Sequence, residues 1–263
     1  MIKQAVRWEE DRLRGIEGIE DYPWFKERHR IFPAVFEDRG HRSVLDLSAG
    51  VGCAARRIRD AYPCELLCND ISPTCLKILA RQGLPTVSFD LDDGEKPYPF
   101  EDGRFDAVIS LVTIEHLIDL DHFLNETRRI LKADGRFYLS TPNYAAPEYA
   151  LRLLFRGKTF HDPMSGPEGR YEFFAHVRFF TYRTLLEFVG SFGFAPEAVY
   201  LALPGGSSRY MSLYAASRWK AWAVRSVMGM RHRLLSARWA SEPIICFRKT
   251  NDGKPRRVRK VVL

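Results

Sequence analysis

Residues 43–52 read SVLDLSAGVG, and this decapeptide decides the fold class. Ser43 to Leu47 is an almost unbroken apolar run, the pattern of a strand buried on both faces. Gly50 and Gly52 then break the chain, because glycine takes tight left-handed turns without steric cost. Residues 53–62 continue as a helix, so the unit is strand–turn–helix with free backbone N–H groups at the helix start. Asp46 stands inside the strand end, just ahead of the glycines.

The same alternation continues downstream. CELLCND (64–70), TVSFD (86–90), FDAVISLV (105–112) and RFYLST (136–141) read as further strands. SPTCLKILARQG (72–83) reads as a helix, with Ser72 as N-cap and Pro73 in its first position. DLDHFLNETRRILKADG (119–135) reads as a helix closed by Gly135. Strands alternating with helices imply a parallel sheet covered on both faces, and ligands of such sheets bind at the carboxyl ends of the strands. Asp70 ends the second strand eighteen residues past Gly52, where an acid can accept both hydroxyls of a ribose. A nucleoside-bearing cofactor follows. Residues 50–55 also fit a permissive GxGxxA fingerprint, which keeps NAD as an alternative.

Five segments in order separate these readings. VLDLSAGVG, CNDISP, FDLDDGEKPYPFEDGRFDAVIS, IEHLIDLDHFLNETRRILKADGRFYLSTPN and HVRFFTYRTLLEFVGSFGF span residues 44–194. Together they resemble class I S-adenosylmethionine-dependent methyltransferases, in particular the small-molecule branch with the type 11 methyltransferase domain. The resemblance implies a Rossmann-like, doubly wound α/β fold. Its sheet would be mostly parallel and seven-stranded, with helices on both faces and a lid insertion after the fifth strand. It implies S-adenosyl-L-methionine as cofactor, its methionine part wrapped by Asp46, Ser48, Gly50 and Gly52, with Ser48 replacing the usual first glycine. Asp70 matches the acid that binds the ribose, with Ile71 beside the adenine. Asp90, next to Leu91, matches the residue that approaches the adenine amino group, with Asp92 as its competitor. Glu115 joins the cofactor set as half of an EH pair at the fourth strand's end.

The expected chemistry is methyl transfer to a small-molecule or lipid- or glycan-linked acceptor at oxygen, which calls for a general base near neutral pH. His116 is the first candidate, since imidazole titrates near ~6.5. His176 and His161 in the lid are the others, His161 through a pairing with Asp162. Tyr144 and Tyr171 are candidate acceptor contacts. Other readings are an RNA methyltransferase and a cofactor-binding relative without catalysis.

Composition bounds the rest. The 263 residues are 46% hydrophobic and 28% charged, which describes a globular chain. Five cysteines without CxxC pairing predict a reduced chain with no disulfide and no structural zinc or other metal. No apolar run approaches the ~20 residues of a membrane span, and the opening MIKQAVRWEEDRLRG is too charged for a signal peptide. The expected location is cytoplasmic. The net charge of +7 is unevenly placed: residues 205–263 hold fourteen Lys/Arg and two acids, the remaining body 26 and 31. The expected organisation is a helical cap (1–42), a core (43–203 and 242–250) containing the lid (142–180), a basic amphipathic insertion (204–241) and a flexible basic tail (251–263). The insertion carries three tryptophans among its arginines, which suits an anionic membrane surface and places the chain at the membrane periphery. No RNA-binding module accompanies the charge, which argues against nucleic acid.

Overall fold

The computed structural model describes residues 4–26, 29–36, 39–158, 163–164, 166–205, 208–250 and 258–263. A central sheet is built from β1 (Ser43–Leu47), β2 (Glu65–Asn69), β3 (Thr86–Val87), β4 (Phe105–Leu111), β5 (Leu131–Ser140), β6 (Phe194–Leu201), β7 (Ile244–Lys249) and β8 (Arg259–Val262). The spatial order is β3-β2-β1-β4-β5-β7-β6-β8. The first five strands pair in parallel, and β7 runs antiparallel to both β5 and β6. Strand order therefore reverses between β1 and β4, and the carboxyl ends there open a crevice.

Both faces of β1 and β4 are apolar because both are covered. Val44, Ala107 and Ile109 pack with Ala54 and Ile58 of α3 (Cys53–Ala61) and with Phe32 and Phe36 around α2 (Phe32–Val35). Leu45, Leu47 and Val108 face the other way, onto Phe123 and Leu124 of α5 (Leu120–Ile130) and Leu185 and Val189 of α8 (Tyr182–Ser191). Ser72 caps α4 (Pro73–Arg81) as its position predicts, its Oγ accepting from Cys75 N–H at 3.1 Å. The cap begins with α1 (Gln4–Arg12). Leu13, Ile19 and Tyr22 behind it pack on Val51, Cys53, Cys75 and Ile78, which pins the cap to α3 and α4. The segment expected to be a lid contains α6 (Pro147–Arg156) and α7 (Pro167–Ala175), and the segment expected to be a basic insertion folds as α9 (Ser208–Ala216) and α10 (Arg218–Leu234).

Three expectations need correction. The sheet has eight strands among the described residues, not seven. The eighth comes from the segment expected to be a flexible tail: residues 259–262 pair with Ala198–Leu201 of β6, and Val261 and Leu263 pack onto the core. Residues 251–257 of that segment lie outside the described residues. The helix expected to run to Gly135 stops at Ile130, because Leu131 already pairs with Phe105 and the ladder then shifts register before Arg136 meets Ala107. β3 is only two residues long, since Phe89 turns into the core and Asp90 starts a turn by accepting from Asp92 N–H at 2.9 Å.

Candidate active site

A cavity of about 410 Å³ lies at the carboxyl ends of β1, β2 and β4, roofed by α1 and α7. Its floor is the β1–α3 turn. Ser48, Gly50 and Gly52 there all adopt left-handed backbone, at φ 54°, 57° and 89°. A Cβ on Gly52 would lie 2.9 Å from Leu79 Cδ2, so a side chain here would have to displace Leu79 besides straining the backbone. Ser48 has no such freedom, and a non-glycine residue in this region is strained. Val112 (φ 56°) and His29 (φ 54°) share the condition, and these three are the positive-φ non-glycines among the described residues. All three line the cavity, as expected where backbone strain is held by a functional site.

Asp70 ties the glycine turn to the start of α4: its Oδ2 accepts from Gly50 N–H at 2.8 Å and its Oδ1 from Ser72 N–H at 2.9 Å. Burial pushes its pKa up to about 6, against the pull of those two hydrogen bonds. Asp46 is one layer deeper and does not line the cavity. Burial, then the nearby Asp70 charge, raises it to about 8, and its Oδ2 has no hydrogen-bond partner in the protein. Two buried acids under a glycine turn suit a ligand that brings hydroxyl donors and positive charge. An orphaned carboxylate oxygen beneath an uncrowded Gly50 fits such a group.

Ile71, Asp90, Leu91 and Asp92 also line the cavity. Asp92 also holds a neighbouring segment in place. Its Oδ1 accepts from Ile118 N–H (2.9 Å) and Asp119 N–H (3.0 Å), which fixes the approach to α5.

The opposite wall carries His116 and His176, whose rings meet edge to face at 4.6 Å. His116 Nδ1 lies 3.0 Å from the Ala175 carbonyl. A carbonyl only accepts, so Nδ1 carries the proton and Nε2 is the basic nitrogen of the neutral ring. His176 Nδ1 lies 3.0 Å from Tyr144 Oη. Glu115 departs from its expected place: fully buried, it does not line the cavity. Its Oε2 accepts from Thr141 Oγ1 at 2.8 Å, and its backbone carbonyl accepts from the N–H groups of Val177 and Arg178. The side-chain ligand atoms of Glu115, His116 and His176 lie within 4.8 Å of one another. Such a trio has the donor chemistry of a proton-sharing cluster or of a divalent-cation site. His161, the third candidate base, lies outside the described residues.

The roof joins the expected cap to the expected lid. Tyr171 of α7 donates to Glu9 of α1 at 2.9 Å, Arg12 bridges Glu9 and Tyr22, and all four line the cavity. Hydrogen bonding and charge from Glu9 hold the Arg12 guanidinium protonated although burial opposes it. Trp8 stacks on Phe174 at 5.5 Å, so cap and lid close on each other. Glu10 fastens α1 to α4 by accepting from Thr74 Oγ1 at 2.7 Å and from Ser72 Oγ. Of the cysteines, Cys53 lines the cavity. Burial pushes the Cys64, Cys68 and Cys75 thiols up, Cys64 to about 11, which makes them poor nucleophiles.

Comparison with known proteins matches residues 45–139 to the family described as a methyltransferase domain. Ajmaline N-methyltransferase of Rauvolfia serpentina is 39% identical over 95 residues, covering 34% of this chain and 32% of that protein. Tocopherol O-methyltransferase of Arabidopsis thaliana is 32% identical over 124 residues, covering 44% of this chain and 35% of that protein. The match thus takes in about a third of each relative's own length. The solved Haemonchus contortus phosphoethanolamine N-methyltransferase 2, with phosphomonomethylethanolamine and S-adenosylhomocysteine, shares the fold at a TM-score of 0.61 and 15% identity. That match covers 95% of this chain and 61% of the other.

Proposed function

We propose, from the match of residues 45–139 to a methyltransferase domain family, that this chain is a class I S-adenosylmethionine-dependent methyltransferase acting on an acceptor oxygen. The acceptor is a small molecule or a lipid- or glycan-linked group. The observation that carries the reading is one cavity with Asp70 and the glycine turn on one wall and the His116–His176 pair on another. The bound cofactor would supply an activated methyl group. Asp70 would accept from the ribose hydroxyls, Ser48, Gly50 and Gly52 would pass along the methionine part with Asp46 beneath them, and Ile71, Asp90 and Leu91 would border the adenine. Glu115 contributes by position, holding the lid's return segment through its carbonyl.

His116 is the base. Its Nδ1–H is fixed on Ala175, so Nε2 takes the acceptor's proton while His176, oriented by Tyr144, stands beside it. The roof of α1 and α7 excludes water. Methyl transfer from labelled cofactor, screened across hydroxyl-bearing acceptors, tests the activity. His116→Ala should cut turnover by about 10²–10⁴ while S-adenosylhomocysteine affinity holds. Lost affinity with normal turnover at saturation would make His116 a binding residue. A chelator should leave the rate unchanged; loss on chelation, restored by a divalent cation, would convert the trio into a metal site. Tight NAD binding with none for S-adenosylhomocysteine would end the methyltransferase reading.

A further inference from the structure

Helix α10 has its polarity inverted. The side against the sheet holds Ala221, Gly229 and His232, all buried, with Gly229 set against Leu203. The outward side carries Trp219 and Trp222, three residues apart, then Val227, Met230 and Leu234 at spacings of three and four. All five are exposed, Trp219 and Trp222 to 69% and 70%. A surface helix ordinarily turns such a stripe inward. Its flanks are cationic: residues 208–241 hold seven Lys/Arg and no acid. Lys220 lies 5.7 Å from the Trp219 ring and Arg218 5.7 Å from Tyr214, so the charges rest on aromatic stems.

The lid helix α6 repeats the inversion. None of its residues is buried, and Leu151, Leu154 and Phe155 form an exposed stripe at i, i+3, i+4. The same helix supplies Tyr149 to the cavity wall, and its Glu148 pairs with Arg231 of α10 at 3.0 Å. The cavity wall, α6 and α10 are therefore one connected stretch of structure.

We propose that α10 and α6 dock this protein on an anionic lipid bilayer. Scattered single apolar residues need no explanation, but two outward stripes on linked helices do. Tryptophan prefers the headgroup layer, and the flanking cations match anionic headgroups. Each Lys or Arg near such a surface strengthens partition about fivefold. Docking by α6 brings the cavity to the bilayer, which is how a lipid-linked acceptor would reach it; that last clause rests on the methyl-transfer reading, while the docking does not.

The test is co-sedimentation of the full chain with vesicles of phosphatidylcholine alone or mixed with phosphatidylglycerol. Binding should favour the mixed vesicles and fall as salt rises. The exposed double variant Arg218→Glu/Lys220→Glu should weaken partition at least about 25-fold, and Trp219→Ser/Trp222→Ser should weaken it independently. Circular dichroism and S-adenosylhomocysteine binding should stay as in the parent. A folded, S-adenosylhomocysteine-binding protein that ignores anionic vesicles, or binds neutral ones equally, would overturn the docking and leave the methyltransferase reading standing. An RNA oligonucleotide that displaces the vesicles and loses affinity in the charge variant would reassign the surface to nucleic acid.

Discussion

Asp46 and Asp70 couple the site to pH. Both carboxyls sit above their ordinary value of 3.8, Asp70 at about 6 and Asp46 at about 8, chiefly through burial. A raised folded-state pKa means that the folded protein binds more protons, so its stability is full below the unfolded value and falls as pH rises through the folded one. The unliganded protein should therefore lose stability between about pH 4 and 8. Asp46→Asn should flatten that slope in urea titrations taken across the range. Binding S-adenosylmethionine, which brings positive charge, should favour the ionised carboxylates, so affinity should rise from pH 6 to 8 with proton release. Calorimetry in buffers of different ionisation enthalpy measures this directly. Ser48 gives a second test. Its left-handed backbone costs about 1 kcal/mol in a residue with a Cβ, so Ser48→Gly should raise the unfolding free energy by about that much. A loss of stability instead would show that the serine hydroxyl outweighs the strain.

At the scale of elements, α1 and α7 are joined over the cavity. Tyr171→Phe removes the donor to Glu9 and leaves a partly buried carboxylate one hydrogen bond short, a loss of about 1–3 kcal/mol. The roof should open more often, seen as faster amide exchange in α1 and α7 with the sheet unchanged. Sequence reading located the strands because β1 and β4 are apolar on both faces, a pattern that survives without tertiary context. It located Asp70 because a strand end followed by Ser72-Pro73 marks both the acid and the helix cap. It named a cap and a lid but not the contacts that join them, because Glu9, Glu10 and Arg12 on a polar helix are indistinguishable from solvated charges until α7 and α4 meet them. It placed Glu115 toward the cofactor because the pair with His116 is adjacent in sequence. The short turn at Ile114–His116 instead sends one side chain into the core and the other to the cavity. The inverted helix α10 was recognisable by composition, but only exposure reveals which face the tryptophans take.

For the whole molecule, the far end of the chain completes the sheet. β8 covers the edge of β6 along Ala198–Leu201, an edge that would otherwise offer unpaired N–H and C=O groups to other chains. Removing residues 251–263 should therefore promote self-association at unchanged secondary structure in the remainder, measurable by sedimentation velocity. A monomeric truncation would mean that the β6 edge is protected by something other than β8.

The place of β7 has a consequence for biosynthesis. It lies between β5 and β6 in the sheet, yet β5 ends at Ser140 and β7 begins at Ile244. On the ribosome, roughly 100 residues must be added after β5 before its partner exists, a delay of roughly 5–20 s at ordinary elongation rates. A β1–β5 half that paired during that interval would present Phe137, Tyr138 and Leu139 along a bare edge. The newborn chain is thus exposed to its neighbours on a polysome until β7 arrives.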